Sequence, residues 1–350
     1  MKKVNNSPLL TVAIPTFNRP DSLEKIIIQL SKEKNRSFLI LISDDGSSDV
    51  TMVMVKKYQK KMPNLVYSKN KSNLGFTENI IKIYELAKTR YIWFLSDDET
   101  VLSGTIYKIL KVLDKYKPTI VLFNHSWIDQ YGRKTEYGTN KDMFYTDMMK
   151  FDDYHVLFKT GFISVVVVEK SIPITILKTS NLKNNAFFQI SLSLFLLSNK
   201  FRLCEASLMV VRRNPCYKCG EFFKFLFIDQ LDAVNSFNHN FNNKKFLQMM
   251  KSKTITSLRL YLSQKLGLFK TYRDPTMATI KQIIKYYSFF SIFILLFPVV
   301  YYLIPTFLLK LLYMFQLFRI NGYEQGKQIY VRNLNRAYKN KRKTGFVTYK

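Results

Sequence analysis

Residues 9–30 read LLTVAIPTFNRPDSLEKIIIQL, and the change of rhythm within them decides the fold class. Leu9 to Ile14 is a short apolar run of the kind a buried strand needs, and Pro15 closes it. Asp21 is placed to cap a helix, with Glu24 three residues on completing a capping box. Leu23, Ile26, Ile27 and Leu30 then fall at i, i+3, i+4, i+7, the period of one helix face. The unit repeats. Phe38 to Ile42 (FLILI) is a second strand, Ser43 to Ser48 (SDDGSS) a turn, and Val50, Val53, Met54 and Lys57 open a second helix. Leu65 to Tyr67 is a third strand, Asn73-Leu74-Gly75 a turn, and Phe76, Ile80, Ile83, Tyr84 and Ala87 a third helical stripe. Tyr91 to Leu95 (YIWFL) is a fourth strand running into Ser96-Asp97-Asp98-Glu99, with a helix expected from Val101 onward. Strands alternating with helices of this length predict an α/β fold, its mostly parallel sheet covered on both faces.

In such a sheet ligands bind outside the carboxyl ends of the strands. The turns after the first, second and fourth strands carry Thr16-Phe17-Asn18-Arg19, Asp44-Asp45 and Asp97-Asp98-Glu99, so polar and acidic groups converge on one edge. Taken singly, each acidic turn is also ordinary turn or helix-cap chemistry. Repeated at successive strand ends of a basic protein, the carboxylates point to a hard divalent cation or to the hydroxyls of a ribose or sugar.

The strings VAIPTFNRPDSLEKII, ISDDGSSD, NLGF and YIWFLSDDE, in that order and at those strand ends, resemble the nucleotide-sugar-binding half of the family 2 glycosyltransferases of the GT-A fold. The resemblance covers about residues 9 to 125 and implies a bacterial surface-polysaccharide enzyme. By it, Pro15, Thr16, Asn18 and Arg19 line the nucleotide, Asp44 and Asp45 hydrogen-bond base and ribose, and Gly75 belongs to the NLGF element of the same site. Asp97 and Asp98 match the DxD-type motif, in which Asp98, with Asp97 beside it, would ligate Mn²⁺ or Mg²⁺; a UDP-sugar is the expected donor. Inverting members resemble one another in carrying an acidic base beyond the metal motif, and here that place reads Asn184-Asn185 with Gln189 close by. None of these three can take a proton. The weak candidates elsewhere are Asp152, Asp153, His155 and Glu169, the last following the apolar run FISVVVV.

The 350-residue chain carries 54 Lys+Arg against 25 Asp+Glu, a formal net charge of +29. Its 47% hydrophobic content excludes a disordered chain, and its length predicts about two domains. The three cysteines are too few to staple a fold of this size, and VNNSPLL after Met1-Lys2-Lys3 is too polar for a signal peptide, so a reduced cytoplasmic setting is expected. Residues 244–350 hold 20 Lys+Arg against only Asp274 and Glu324, and 24 residues between Lys285 and Lys310 carry no charge. Basic flanks around an apolar run predict docking on an anionic membrane surface, at the cytoplasmic face, as a peripheral or monotopic protein. Pro298 and Pro305 favour a kinked in-plane or re-entrant segment over a single transmembrane span, which the run is still long enough to make. The expected organisation is a GT-A domain over 1–215 (1–125 for the nucleotide-sugar, 126–215 for the acceptor), a basic helical region over 216–285, an apolar membrane-associating segment over 286–320 and a basic tail over 321–350. Membrane docking implies a lipid-linked oligosaccharide or other membrane-bound glycan as acceptor. The alternatives are a polyprenyl-phosphate glycosyltransferase and a non-catalytic scaffold with this fold. No nucleic-acid-binding signature accompanies the charge.

Overall fold

A computed structural model describes residues 8–33, 37–48, 50–128, 134–147, 158–179 and 188–213, with scattered helical positions between 308 and 328. The chain divides into two compact units, and every described residue up to Arg213 lies in the first. The expected basic helical region and almost all of the apolar 286–309 run lie outside the described residues. Among the described residues no helix is long and apolar enough to cross a membrane.

The first unit is built on one ten-stranded sheet of order β3-β2-β1-β4-β9-β6-β10-β5, with β7 added on β6 and β8 on β10. The strands are β1 (Leu10–Thr16), β2 (Phe38–Asp44), β3 (Leu65–Lys69), β4 (Tyr91–Phe94), β5 (Thr100–Val101), β6 (Ile120–Ile128), β7 (Lys134–Tyr137), β8 (Met143–Tyr145), β9 (Val166–Glu169) and β10 (Leu203–Arg213). Strands β1 to β4 are mutually parallel, and β10 runs parallel to β6. Strand β9 is antiparallel to both β4 and β6. The helices are α1 (Pro20–Ser31), α2 (Thr51–Gln59), α3 (Phe76–Leu86), α4 (Thr105–Tyr116), α5 (Ile174–Thr179) and α6 (Phe188–Asn199). The α/β architecture is therefore as the alternation predicts, and β1 to β4 form the expected parallel half, but the sheet as a whole is mixed, because β5, β7, β8 and β9 all pair antiparallel.

Every residue of β4 is buried, as is β1 from Leu10 to Ile14, so both faces of the central sheet are covered. On α1 the buried residues are Leu23, Ile26, Ile27 and Leu30, the four the period selects. Burying them contributes about 6–12 kcal/mol gross, at ~1.5–3 kcal/mol per aliphatic side chain. Asp21, expected as the cap, lies inside the first turn; Arg19 is the N-cap and Pro20 opens the helix, its missing N–H costing nothing at that position. On α2, Val50 and Val53 are exposed while Thr51, Met54 and Val55 face inward.

One further expectation is corrected. No helix begins at Val101: Thr100–Val101 forms β5, paired antiparallel with Val211 and Arg212, and α4 starts only at Thr105 behind Gly104. Residues 125 and 126, where the nucleotide-sugar and acceptor parts are expected to meet, both lie on β6.

Candidate active site

The carboxyl ends of β1, β2, β3 and β4 lie along one edge, and the loops leaving them are cross-linked. The Asp45 N–H donates to the Thr16 carbonyl at 2.9 Å, and the Asn70 N–H to the Asp44 carbonyl at 2.8 Å. Pairing of β1 with β4 stops at Ala13 and Phe94, so Pro15 stands where β1 continues beside β2 alone. Asn18 takes a left-handed conformation (φ 52°), which its short polar side chain tolerates. Its N–H donates to Ser47 Oγ at 2.9 Å, and the Ser48 N–H donates to its Oδ1 at 3.1 Å. The first two loops are thereby tied together.

Asp44 and Asp45 are both buried, and their oxygens are engaged within the protein. Asp44 accepts from the Ser47 N–H at 2.8 Å and from the Tyr67 hydroxyl. Asp45 accepts from Asn70 Nδ2, the Leu74 N–H and the Gly75 N–H, each at 2.9 Å. Asp45 thus organises the NLGF turn, and Gly75 is a donor to that carboxylate as well as the N-cap of α3. Between them Gly46 (φ 78°) passes so close to the next loop that a Cβ there would meet the Ser72 carbonyl carbon at 2.6 Å. Asn79 completes the cradle, accepting from Ser43 Oγ at 2.6 Å and from Asn70 Nδ2 at 3.1 Å.

The fourth loop joins the first. Thr16 Oγ1 donates to Asp97 Oδ2 at 2.7 Å, and Arg19 Nη1 donates at 3.2 Å both to Asp97 Oδ1 and to Asp98 Oδ2. Ser96 Oγ holds the other Asp98 oxygen at 2.6 Å. Asp97 is 3% exposed, and burial holds its carboxyl above the usual carboxylate range against the opposing pull of the Thr16 hydroxyl and the Arg19 guanidinium. The Asp98 side chain is 46% exposed, and Glu99 is buried. With the next helix eight residues beyond Asp97, helix capping does not account for this turn.

The described residues contain no group of three or more His, Cys, Asp or Glu able to cage a metal. The Asp97–Asp98 pair is nonetheless a suitable donor set, because Mg²⁺ is normally held by one or two carboxylates and completed by phosphate oxygens and waters. Its hard oxygens sit beside each other at an edge where one carboxylate is already half open to solvent.

Pro15, Thr16, Asn18, Arg19, Asp44, Asp45, Gly75, Asp97 and Asp98 are thus brought to one edge. Glu169 is not. Strand β9 runs opposite to β4, so Glu169 pairs with Tyr91, at the start of β4 rather than its end. This places it at the opposite end of β4 from the Asp97 turn, where it accepts from Arg90 Nε and Nη2 at 3.0 and 2.8 Å. Asp152, Asp153 and His155 lie outside the described residues. Sequence reasoning missed Ser47, Tyr67, Asn70 and Asn79. Ser47 is visible in the DDGSS turn, whereas Asn79 sits on a helix with no local sign of its partners.

Residues 11–171 match the family described as Glycosyl transferase family 2. Among curated proteins the chain is 33% identical over 105 residues to a GalNAc(5)-diNAcBac-PP-undecaprenol beta-1,3-glucosyltransferase of Campylobacter jejuni, covering 30% of this chain and 34% of that one. It is 28% identical over 109 residues to the abequosyltransferase RfbV of Salmonella typhimurium, covering 30% and 33%. The matched stretch spans about a third of the length of each relative. Among solved structures, S. aureus TarS 1-349 in complex with UDP-GlcNAc superposes with a TM-score of 0.56 at 15% identity, over 97% of this chain and 93% of that one, a likeness of fold. Residues 11–171, with their cross-linked acidic edge, are thus the part of this chain that is similar to glycosyl transferase family 2.

Proposed function

We propose that the protein transfers a sugar from a nucleotide-sugar, a UDP-sugar first among the candidates, to a membrane-bound glycan or lipid-linked acceptor in surface-polysaccharide synthesis. The observation that carries this reading is the stitching of four strand-end loops into one acidic edge. Curated relatives of the same stretch are named as sugar transferases, one of them on an undecaprenol-linked glycan, and TarS was solved with UDP-GlcNAc.

On this reading Asp44 and Asp45 hold the β2 and NLGF turns against the nucleoside, and Thr16, Asn18 and Arg19 present donors to its ribose and phosphates. Asp98, with Asp97, would hold Mn²⁺ or Mg²⁺, which neutralises charge developing on the departing diphosphate. Thr16 orients Asp97, and Arg19 orients both carboxylates. Inversion at the anomeric carbon follows from the resemblance, with Asp152, Asp153, His155 and Glu169 as the candidate proton acceptors; the pairing of Glu169 with the start of β4 favours the first three. The basic region beyond residue 216 supplies the anionic-membrane contact, on the strength of its charge pattern.

The test is a melting and calorimetric screen of the full chain against UDP, GDP, CMP and dTDP, with and without Mn²⁺. One nucleotide at a hundred times its dissociation constant should stabilise the fold by about 2.7 kcal/mol in the presence of metal. The Asp98→Ala variant should lose the metal-dependent part. If no nucleotide raises the melting temperature, the transferase reading falls and the scaffold alternative takes its place.

A further inference from the structure

The proposed reaction needs an acceptor beside Asp97 and Asp98, and the sheet register identifies what stands there. Trp93 pairs with Val167 and Leu122 with Val166, so Phe94, Val166 and Leu122 are level across three neighbouring strands. Three residues further along the parallel β4 and β6 directions come Asp97, in the turn that follows β4, and His125, still on β6, so both lie beyond the same end of β9. Strand β10 follows one edge of β6 along its length. The other edge is taken by β9 only up to Leu122, and from His125 to Ile128 by β7. Strand β7 therefore stands above β9, on the side of β6 that faces the Asp97 turn.

Alternation puts His125 and Trp127 on one face of β6, with their cross-strand partners Tyr137 and Thr135. The His125 ring stacks on Tyr137 at 5.1 Å and 15°, and Phe162 meets it edge-on at 4.7 Å. Tyr137 is 43% exposed, and His125, Trp127 and Phe162 are half-buried. The cluster is tied to the candidate metal turn: two residues after Phe162, Ser164 Oγ accepts from the Ser96 N–H at 3.1 Å, and its carbonyl accepts from Trp93 Nε1 at 2.8 Å.

The cluster is also held in advance. After Tyr137 the chain crosses Asn124 at Gly138 (φ 151°), where a Cβ would fall 1.7 Å from Asn124 Oδ1. The Asn124 amide clamps Thr139 from both sides, donating to its carbonyl at 2.8 Å and accepting from its N–H at 2.9 Å. Beside Phe162, Gln189 donates to the Gly161 carbonyl at 3.3 Å while its own Oε1 is buried with no donor.

Resting on the transferase reading above, we propose that His125, Trp127, Tyr137 and Phe162 form the platform on which a pyranose ring of the acceptor glycan stacks. A pyranose has an apolar C–H face and a rim of hydroxyls. The face matches the negative ring surfaces of Tyr137, Trp127 and His125, and the rim stays in water. A half-exposed aromatic group on the side of β6 that faces the Asp97 turn suits a sugar ring better than a lipid tail, which would call for an enclosed apolar groove.

The test uses the full chain with saturating UDP and Mn²⁺ on an array of printed bacterial surface glycans. The native protein should capture pyranose-terminated glycans, and Tyr137→Ala and Trp127→Ala should weaken capture about tenfold each while Tyr137→Phe retains it. Melting with UDP should be stabilised equally in all four proteins. The chain has two tryptophans and Trp93 is fully buried, so a captured glycan should shift emission in the native protein and leave Trp127→Phe silent. Capture by Tyr137→Ala at native strength overturns the platform, as does an absence of any capture by a native protein that UDP does stabilise. Failure of UDP to stabilise the native protein overturns the transferase reading instead, and glycan capture is then judged on its own.

Discussion

Asp45 separates two roles that an acidic turn at a strand end invites one to merge. The Asp45→Ala substitution removes three acceptor contacts, those to Asn70 Nδ2, the Leu74 N–H and the Gly75 N–H. The three losses are unequal. Leu74 and Gly75 are exposed, so their N–H groups turn to water and each loss costs about 0.5–1 kcal/mol; Asn70 is 8% exposed and pays most of a buried-donor penalty, ~1–3 kcal/mol. The sum is about 3 kcal/mol, which for a domain of this size lowers the melting temperature by about 6–12 °C. Thermal unfolding followed by circular dichroism without nucleotide measures it directly. A melting temperature within ~2 °C of the native protein, coupled with loss of UDP stabilisation, would refute this account and make Asp45 a ligand contact that the fold does not need.

Asp97→Asn probes the buried carboxyl. Its folded pKa is raised chiefly by burial, so the fold holds this proton more tightly than the unfolded chain, and the group weakens the fold above that pKa and ceases to do so as pH falls through it. The variant should therefore melt at or above the native protein at neutral pH without nucleotide, lose that margin in acid, and bind no Mn²⁺-dependent UDP; a clear destabilisation at neutral pH would count against the desolvation argument. For the native protein, metal-dependent UDP binding measured by calorimetry should fade at a pH above the 3.8 of an ordinary aspartate. Glu169→Gln should leave turnover unchanged and lower stability by about 1 kcal/mol through its half-exposed Arg90 partner, and a collapse of turnover at an intact fold would return it to the catalytic list. Gly138→Ala should cost about 1–3 kcal/mol in urea unfolding, because both its φ and the Asn124 side chain exclude a Cβ.

What was legible in the sequence is what depends on neighbours along the chain. The apolar face of α1, the strands β1 to β4 and the placing of Thr16, Arg19, Asp45 and Asp97 at one edge all follow from local period and from the rule that parallel strands share a carboxyl edge. What was missed depends on partners far along the chain. Val101 looks like a helix start until Val211 is beside it, and Asn79 looks like an ordinary helix residue until Ser43 and Asn70 meet it. The aromatic group on β6 and β7 was invisible for the same reason, since His125 and Phe162 are joined by the sheet and not by spacing.

Glu169 was misplaced for a different reason, and it bears on the chemistry of the whole edge. A run such as FISVVVV says that a strand is buried and nothing about which way it points. Strand β9 is reversed between β4 and β6, so its carboxyl end, with Glu169, leaves the site and its amino end, with Phe162 and Ser164, arrives there. On the β1, β2 and β4 side, strand ends deliver turn carboxylates suited to a metal and a nucleotide. Past β9 the edge is supplied by a strand start and by the rings of β6 and β7, which suit an uncharged ring. The division between a charged half and an aromatic half, which on the proposed reading would take the diphosphate and the acceptor sugar, is thus a consequence of one strand's direction.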